Sequence, residues 1–163
     1  MKKLTLLILL TASLFSCKDD DELKPLGLHF SGTYERSNYA EEDGIWYVHS
    51  LVFQDNGDLE QRTTIRESEH GEDLGYAGLV LGTYELQTDE LTWDLEEFYF
   101  WASEDPEELY GPRTGLVPLE EATPVSQTGT LEQRDEGNKI AIVFPCNDVR
   151  ASCIGEMIYT KVD

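Results

Sequence analysis

The sequence predicts an all-β domain, a sandwich or barrel of eight or nine strands. Beyond residue 28, short runs rich in β-branched and aromatic residues recur between turns of Gly, Asn, Asp and Pro. Several of these runs alternate apolar and polar residues with period two, the mark of a strand with one wet face. No stretch carries the period of a long amphipathic helix. Short, evenly spaced strands joined by tight turns close into sandwiches or barrels.

Residues 1–16 read as an export signal. Lys2 and Lys3 form a basic start, and Leu4 to Phe15 form an apolar run of 12 residues, too short for the ~20 a spanning helix needs. Leu14-Phe15-Ser16-Cys17 resembles a bacterial lipobox of the Bacteroidetes type. That resemblance implies cleavage before Cys17, acylation of its thiol and new amino group, and retention in a membrane leaflet. Two or more acyl chains, at about 0.8 kcal/mol per buried methylene, hold far better than one. Lys18-Asp19-Asp20-Asp21-Glu22 resembles the acidic export tag of surface lipoproteins of that phylum, which places the protein on the outer membrane at the cell surface. A run of like charges is also a solvated tether by default, here residues 17–27.

Removing residues 1–16 from the 163 leaves 147, enough for one domain with a real core. The removed segment takes two lysines and no acids, so the net charge moves from −21 to −23. Phosphate backbones would repel such a chain, which excludes nucleic acid. Solubility, a cationic protein partner or a divalent ion remain. Three cysteines are an awkward number in an oxidising compartment. With Cys17 lipidated, Cys146 and Cys153 are left as a disulfide pair. Closing so short a loop stabilises by about 2.5 kcal/mol on the chain-entropy account. A metal pair is the competing reading, but no His or further Cys lies near to complete a tetrahedral site.

Residues 28–163 form the domain. A first strand lies around His29 to Ser37 and a second from Gly44 to Phe53. Asp55-Asn56-Gly57-Asp58 then predicts a hairpin turn. Leu59, Gln61, Thr63 and Ile65 alternate with Glu60, Arg62, Thr64 and Arg66 in the third strand. His70 to Gly78 reads as a loop, and a strand from Leu79 to Leu86 turns at Gln87 to Glu90. The next alternates cleanly over Leu91 to Leu95. Its phase then breaks in Glu96-Glu97-Phe98-Tyr99-Phe100-Trp101, which predicts a bulge or bend. Ser103 to Gln127 carries four prolines, and Asp105-Pro106-Glu107-Glu108 has the cap and N1 proline of one short helical turn. Strands at 128–134, 139–144 and 154–162 close the chain.

Gly32-Thr33-Tyr34, the Leu-Val-Phe-Gln-Asp-Asn-Gly-Asp hairpin, Gly82-Thr83-Tyr84 before Leu91-Thr92-Trp93, and Gly137-Asn138-Lys139-Ile140 together resemble the lipocalin-like lipoproteins of Bacteroidetes. The resemblance covers residues 28–163 and implies a small antiparallel up-and-down β-barrel of about eight strands. The lipocalin Gly-x-Trp marker stands here as Gly32-Thr33-Tyr34, with Tyr for Trp. The resemblance lends a fold more than a job.

Catalytic signatures are missing: there is no Gly-x-Ser-x-Gly, no His-Glu-x-x-His and no phosphate-cradling glycine loop. His29, His49 and His70 are scattered, and His49 reads as a wall residue. In a strand, neighbours such as Glu96 and Glu97 point to opposite faces, so they cannot act jointly on one bond. Asp55 to Glu60 lacks the spacing of a calcium loop. A binding protein without cofactor or metal is therefore expected rather than an enzyme. Phe98, Phe100 and Trp101, with Tyr110, Trp46 and Trp93, are the candidate lining of a cavity for an apolar or sugar-like ligand. The competing reading is a solid core with residues 103–127 packed as a lid on their own strand, and an acidic surface that docks a cationic partner.

Overall fold

A computed structural model of the chain describes residues 30–145 and 155–162. The signal segment, the tether, Cys17, His29, Cys146 and Cys153 lie outside the described residues.

Among the described residues nine strands form one antiparallel sheet: β1 (Gly32–Ala40), β2 (Ile45–Phe53), β3 (Asp58–Arg66), β4 (Gly75–Gln87), β5 (Glu90–Phe100), β6 (Val117–Pro118), β7 (Val125–Arg134), β8 (Lys139–Val143) and β9 (Met157–Lys161). Each of β1 to β5 pairs with the next, β5 pairs with β7, and β7, β8 and β9 follow in order. β9 returns to β1 through Tyr34 and Glu35, so eight strands close an up-and-down barrel. β6 is a two-residue appendix on the end of β5.

The turns are those the residue types demand. Asn56 accepts from the Asp58 backbone N–H (3.1 Å) and donates to the Asp58 carboxylate (2.8 Å), while Gly57 supplies φ +90°. This pins β2 against β3. The phase break in β5 is a bulge: Leu81 faces Glu97 and Gly82 faces Leu95, which leaves Glu96 as the extra residue. Glu96 and Glu97 consequently both stay exposed and share one outer groove, which corrects the expectation of opposite faces.

One other expectation changes. β4 starts at Gly75, not Leu79. Gly75 pairs with Ile65 and Tyr76 bridges Gly111, an approach so close that a Cβ on Gly75 would lie 2.7 Å from the Gly111 carbonyl oxygen. Glycine-rich text hid a strand that needs glycine. At Asp105 the expected single turn forms: the carboxylate accepts from the Glu107 N–H (2.9 Å) as a cap should, and the Glu108 N–H donates to the Asp105 carbonyl (3.1 Å). Among the described residues 3-10 turns lie at Arg113–Gly115 and Asp135–Gly137.

The core fills one end of the barrel. Phe30, Tyr34, Phe53, Leu59, Leu91, Trp93, Ile140 and Tyr159 belong to a single buried cluster. Phe53 sits edge-on to Phe30 (4.9 Å) and Tyr84 (4.9 Å), and the Tyr84 hydroxyl donates to the carbonyls of Phe30 and Gln54 across that end. On the outer wall Arg66 grips Glu35 with two bonds of 2.9 Å and Asp73 with one of 2.5 Å. Ser50 donates to Glu35 and Thr64 to Asp73, so three strands and the 67–74 loop are tied by one network.

Candidate functional site

Register decides what the interior contains. One row across the sheet runs Gly32, Phe53, Leu59, Gly82 and Leu95 from β1 to β5. The next inward row is Tyr34, Leu51, Gln61, Val80 and Phe98, and the one after it is Arg36, His49, Thr63, Gly78 and Phe100. Side chains alternate across a strand, so all three rows share the inward face. The first row is apolar, and polarity rises row by row towards the other end.

A cavity of about 170 Å³ occupies that polar half, with Arg36, His49, Leu51, Gln61, Thr63, Val80 and Tyr159 among the residues that line it. The Arg36 guanidinium lies over the Tyr159 ring, 5.5 Å from its centroid. His49 Nδ1 shares a 3.3 Å hydrogen bond with the Thr63 hydroxyl. Burial first, and then the charge of Arg36, hold the His49 pKa below its ordinary value, so the ring is neutral at pH 7. Burial likewise raises the Tyr159 phenol, with Arg36 pulling the other way. Two donors have no hydrogen-bond partner among the described residues although both are shut off from solvent: Arg36 Nε and Gln61 Nε2.

The six aromatic residues singled out in the sequence do not converge on this cavity. Trp93 is buried in the core, stacked near Phe144 (4.4 Å), with its indole N–H donating to Gln127 (3.2 Å). Trp46 pairs with Tyr39 at the far end of the β1–β2 ladder. Trp101 donates to the Glu108 carbonyl (3.0 Å), and Gly111 and Gly115 press on its ring so closely that a Cβ would lie 2.2 and 2.6 Å away. Tyr110 covers Gly75 in the same loop. Residues 101–118 therefore pack on β5 and, through Gly111 and Arg113, on β4 and β3. Phe98 and Phe100 alone stand in the inward phase beside the cavity rows. The signal that would have located the cavity was Gln61 and Thr63, two polar residues in phase with Leu59 and Ile65.

A larger groove of about 370 Å³ lies on the outer face of β3 to β5, with Asp58, Glu60, Thr83, Glu96, Glu97 and Arg113 in its lining. Arg113 straps the loop to β3 through Glu60 (2.9 and 3.0 Å), which also takes Arg62. Burial pushes the Glu60 carboxyl up, but the hydrogen bonds and charges of the two arginines outweigh it and hold it below the ordinary value. A depressed carboxyl stabilises the fold above its unfolded-state pKa and loses that contribution as pH falls through the folded one. Acid titration of stability should therefore show a drop below pH about 4.5 that Glu60→Gln reduces, at a cost of about 1 kcal/mol at pH 7. Urea melts from pH 3 to 7 measure both, and an unchanged slope in the variant contradicts the assignment.

The geometry defines a class: a small closed eight-stranded barrel, compatible with a lipocalin-like fold, whose interior is apolar at one end and cationic at the other. Known protein families, curated proteins and solved structures offer no match to the chain.

Proposed function

We propose that this is a lipoprotein anchored through acyl chains on Cys17 to the outer membrane, at the cell surface, and that it binds a small ligand inside its barrel rather than catalysing a reaction. The observation that carries the reading is the divided interior. One half is solid, as a barrel of this size demands, while the other keeps a cavity beneath polar side chains. A domain that needed only stability would gain by filling that half with apolar residues. A thermal-shift panel of short organic acids, neutral alcohols, oligosaccharides and fatty acids tests it. A ligand present at a hundred times its Kd adds about 2.7 kcal/mol of stability, and a panel with no shift in any class rejects the reading.

A second reading has its own observation, the acidic outer groove between Asp58 and Glu97. Arg62, Arg66, Arg113, Arg134 and Lys139 are all held by carboxylates of this chain, so the surplus acid faces solvent. Such a surface suits a cationic protein partner, and docking there should weaken as salt rises.

The exported location also carries the proposed disulfide. Mass spectrometry of the unreduced protein should find Cys146 and Cys153 linked and Cys17 acylated. Two free thiols at 146 and 153 contradict the pairing.

A further inference from the structure

We infer that the polar half of the barrel binds a small carboxylate, with the Arg36 guanidinium as its ion-pair partner and the Gln61 amide as a second donor. The inference rests on the interior being a ligand site and names the chemistry of its occupant.

The charge distribution carries it. Acids outnumber bases 33 to 12 in this chain, yet among the described residues no carboxylate lines the cavity. Of the two arginines that do line it, Arg62 is paired with Glu60 on the outer face, while Arg36 makes no ion pair among the described residues. Arg36 is half-buried with its Nε shut off from water, and a charge in that setting is ordinarily paired, because otherwise it loses hydration without return. Arg36 Nε and Gln61 Nε2 are both donors, both shielded, and both on inward rows of adjacent register. Two unmatched donors ask for an acceptor, and the guanidinium asks for a negative one. A carboxylate answers both, since its two oxygens match the fork of the guanidinium.

The neutral His49 adds no competing charge, and its bond to Thr63 keeps the ring against β3. Leu51, Val80 and the Tyr159 ring give the remaining wall an apolar character, so the acid should carry an apolar body. Size limits that body. At about 170 Å³ the cavity is close to the ~150 Å³ that holds one benzene ring, and below the ~300 Å³ at which drug-sized sites begin. Long acyl chains and oligosaccharides are too large for it. A benzoate-sized acid fits.

Calorimetric titration of the full chain in a non-ionic detergent, with sodium benzoate, benzyl alcohol and inorganic phosphate as probes, tests the inference. Benzoate should bind about tenfold or more tightly than benzyl alcohol, and Arg36→Met should weaken it by at least about tenfold. Gln61→Leu should weaken it less. Arg36→Met should melt no lower than the parent in the absence of ligand, since it keeps the apolar stem and removes a half-buried guanidinium that makes no ion pair among the described residues, so lost binding would not reflect lost folding. Equal binding of benzoate and benzyl alcohol, indifferent to Arg36→Met, would overturn the carboxylate and leave the interior site standing. Phosphate binding as tight as benzoate would overturn it in favour of a general oxyanion site. Failure of benzoate in a protein that some other panel compound stabilises overturns the carboxylate alone. Failure of every compound removes the interior site with it.

Discussion

Phe53→Ala should lower stability by about 4 kcal/mol, the upper part of the range for a fully buried aromatic. Phe53 is 2 % exposed, and its ring meets Phe30, Tyr34 and Tyr84 at centroid distances of 4.9, 6.2 and 4.9 Å. Truncation leaves a hole at the solid end of the barrel, where Tyr84 is bonded to the carbonyls of Phe30 and Gln54 and cannot follow the collapse. For a domain of this size the melting temperature should fall by about 12 °C. Calorimetry measures it directly. A fall of only a few degrees would mean that this end is loosely packed, and the division of the interior would lose its solid half.

Arg66→Met should cost about 3 kcal/mol at neutral pH. Arg66 is the hub of the outer network: its loss leaves Glu35 with the Ser50 hydroxyl (3.2 Å) and Asp73 with the Thr64 hydroxyl (3.0 Å). The Arg66 and Glu35 side chains retain 12 % and 16 % of their exposure, so water only partly compensates the orphaned acid. Breaking one member of a buried pair is far more costly than replacing both. The double variant Glu35→Leu with Arg66→Met should therefore recover most of the loss. Denaturant melts of the two singles and the double give the coupling, and additive losses would contradict a shared network.

Much of the fold was legible because its determinants are local. Asn56-Gly57 marked a turn that only residues tolerant of positive φ can make, and with it the pairing of β2 with β3. The break after Leu95 marked the bulge, since an extra residue must disturb a period of two. The start of β4 was not legible, because Gly75 and Gly78 read as loop text until a neighbouring backbone is placed against them. By contrast the single turn at Asp105 was legible, since its cap is local. It goes no further, because a cap cannot extend a helix whose next residues are drawn away by Trp101 and the Tyr76–Gly111 bridge.

The site was harder to read than the fold. Aromatic richness in Phe98-Tyr99-Phe100-Trp101 drew attention to residues with separate roles: Trp101 is held by the loop, while Phe98 packs against the core. Arg36, His49 and Thr63 lie far apart in the chain and become neighbours only through the register of β1, β2 and β3. Gln61 and Thr63 did interrupt an otherwise apolar phase, which is a local clue. Arg36 gave none, because a charged residue in a strand is solvated by default, and its partial burial follows from the closure of the barrel.

The central claim is that the barrel binds through its interior, and a chemical-shift titration of isotope-labelled protein with benzoate tests it most directly. The account predicts shifts that saturate together at Arg36, His49, Gln61 and Thr63, with the outer groove at Glu96 and Glu97 unmoved. Saturable shifts confined to the outer groove, or none at the four inward residues, would contradict it.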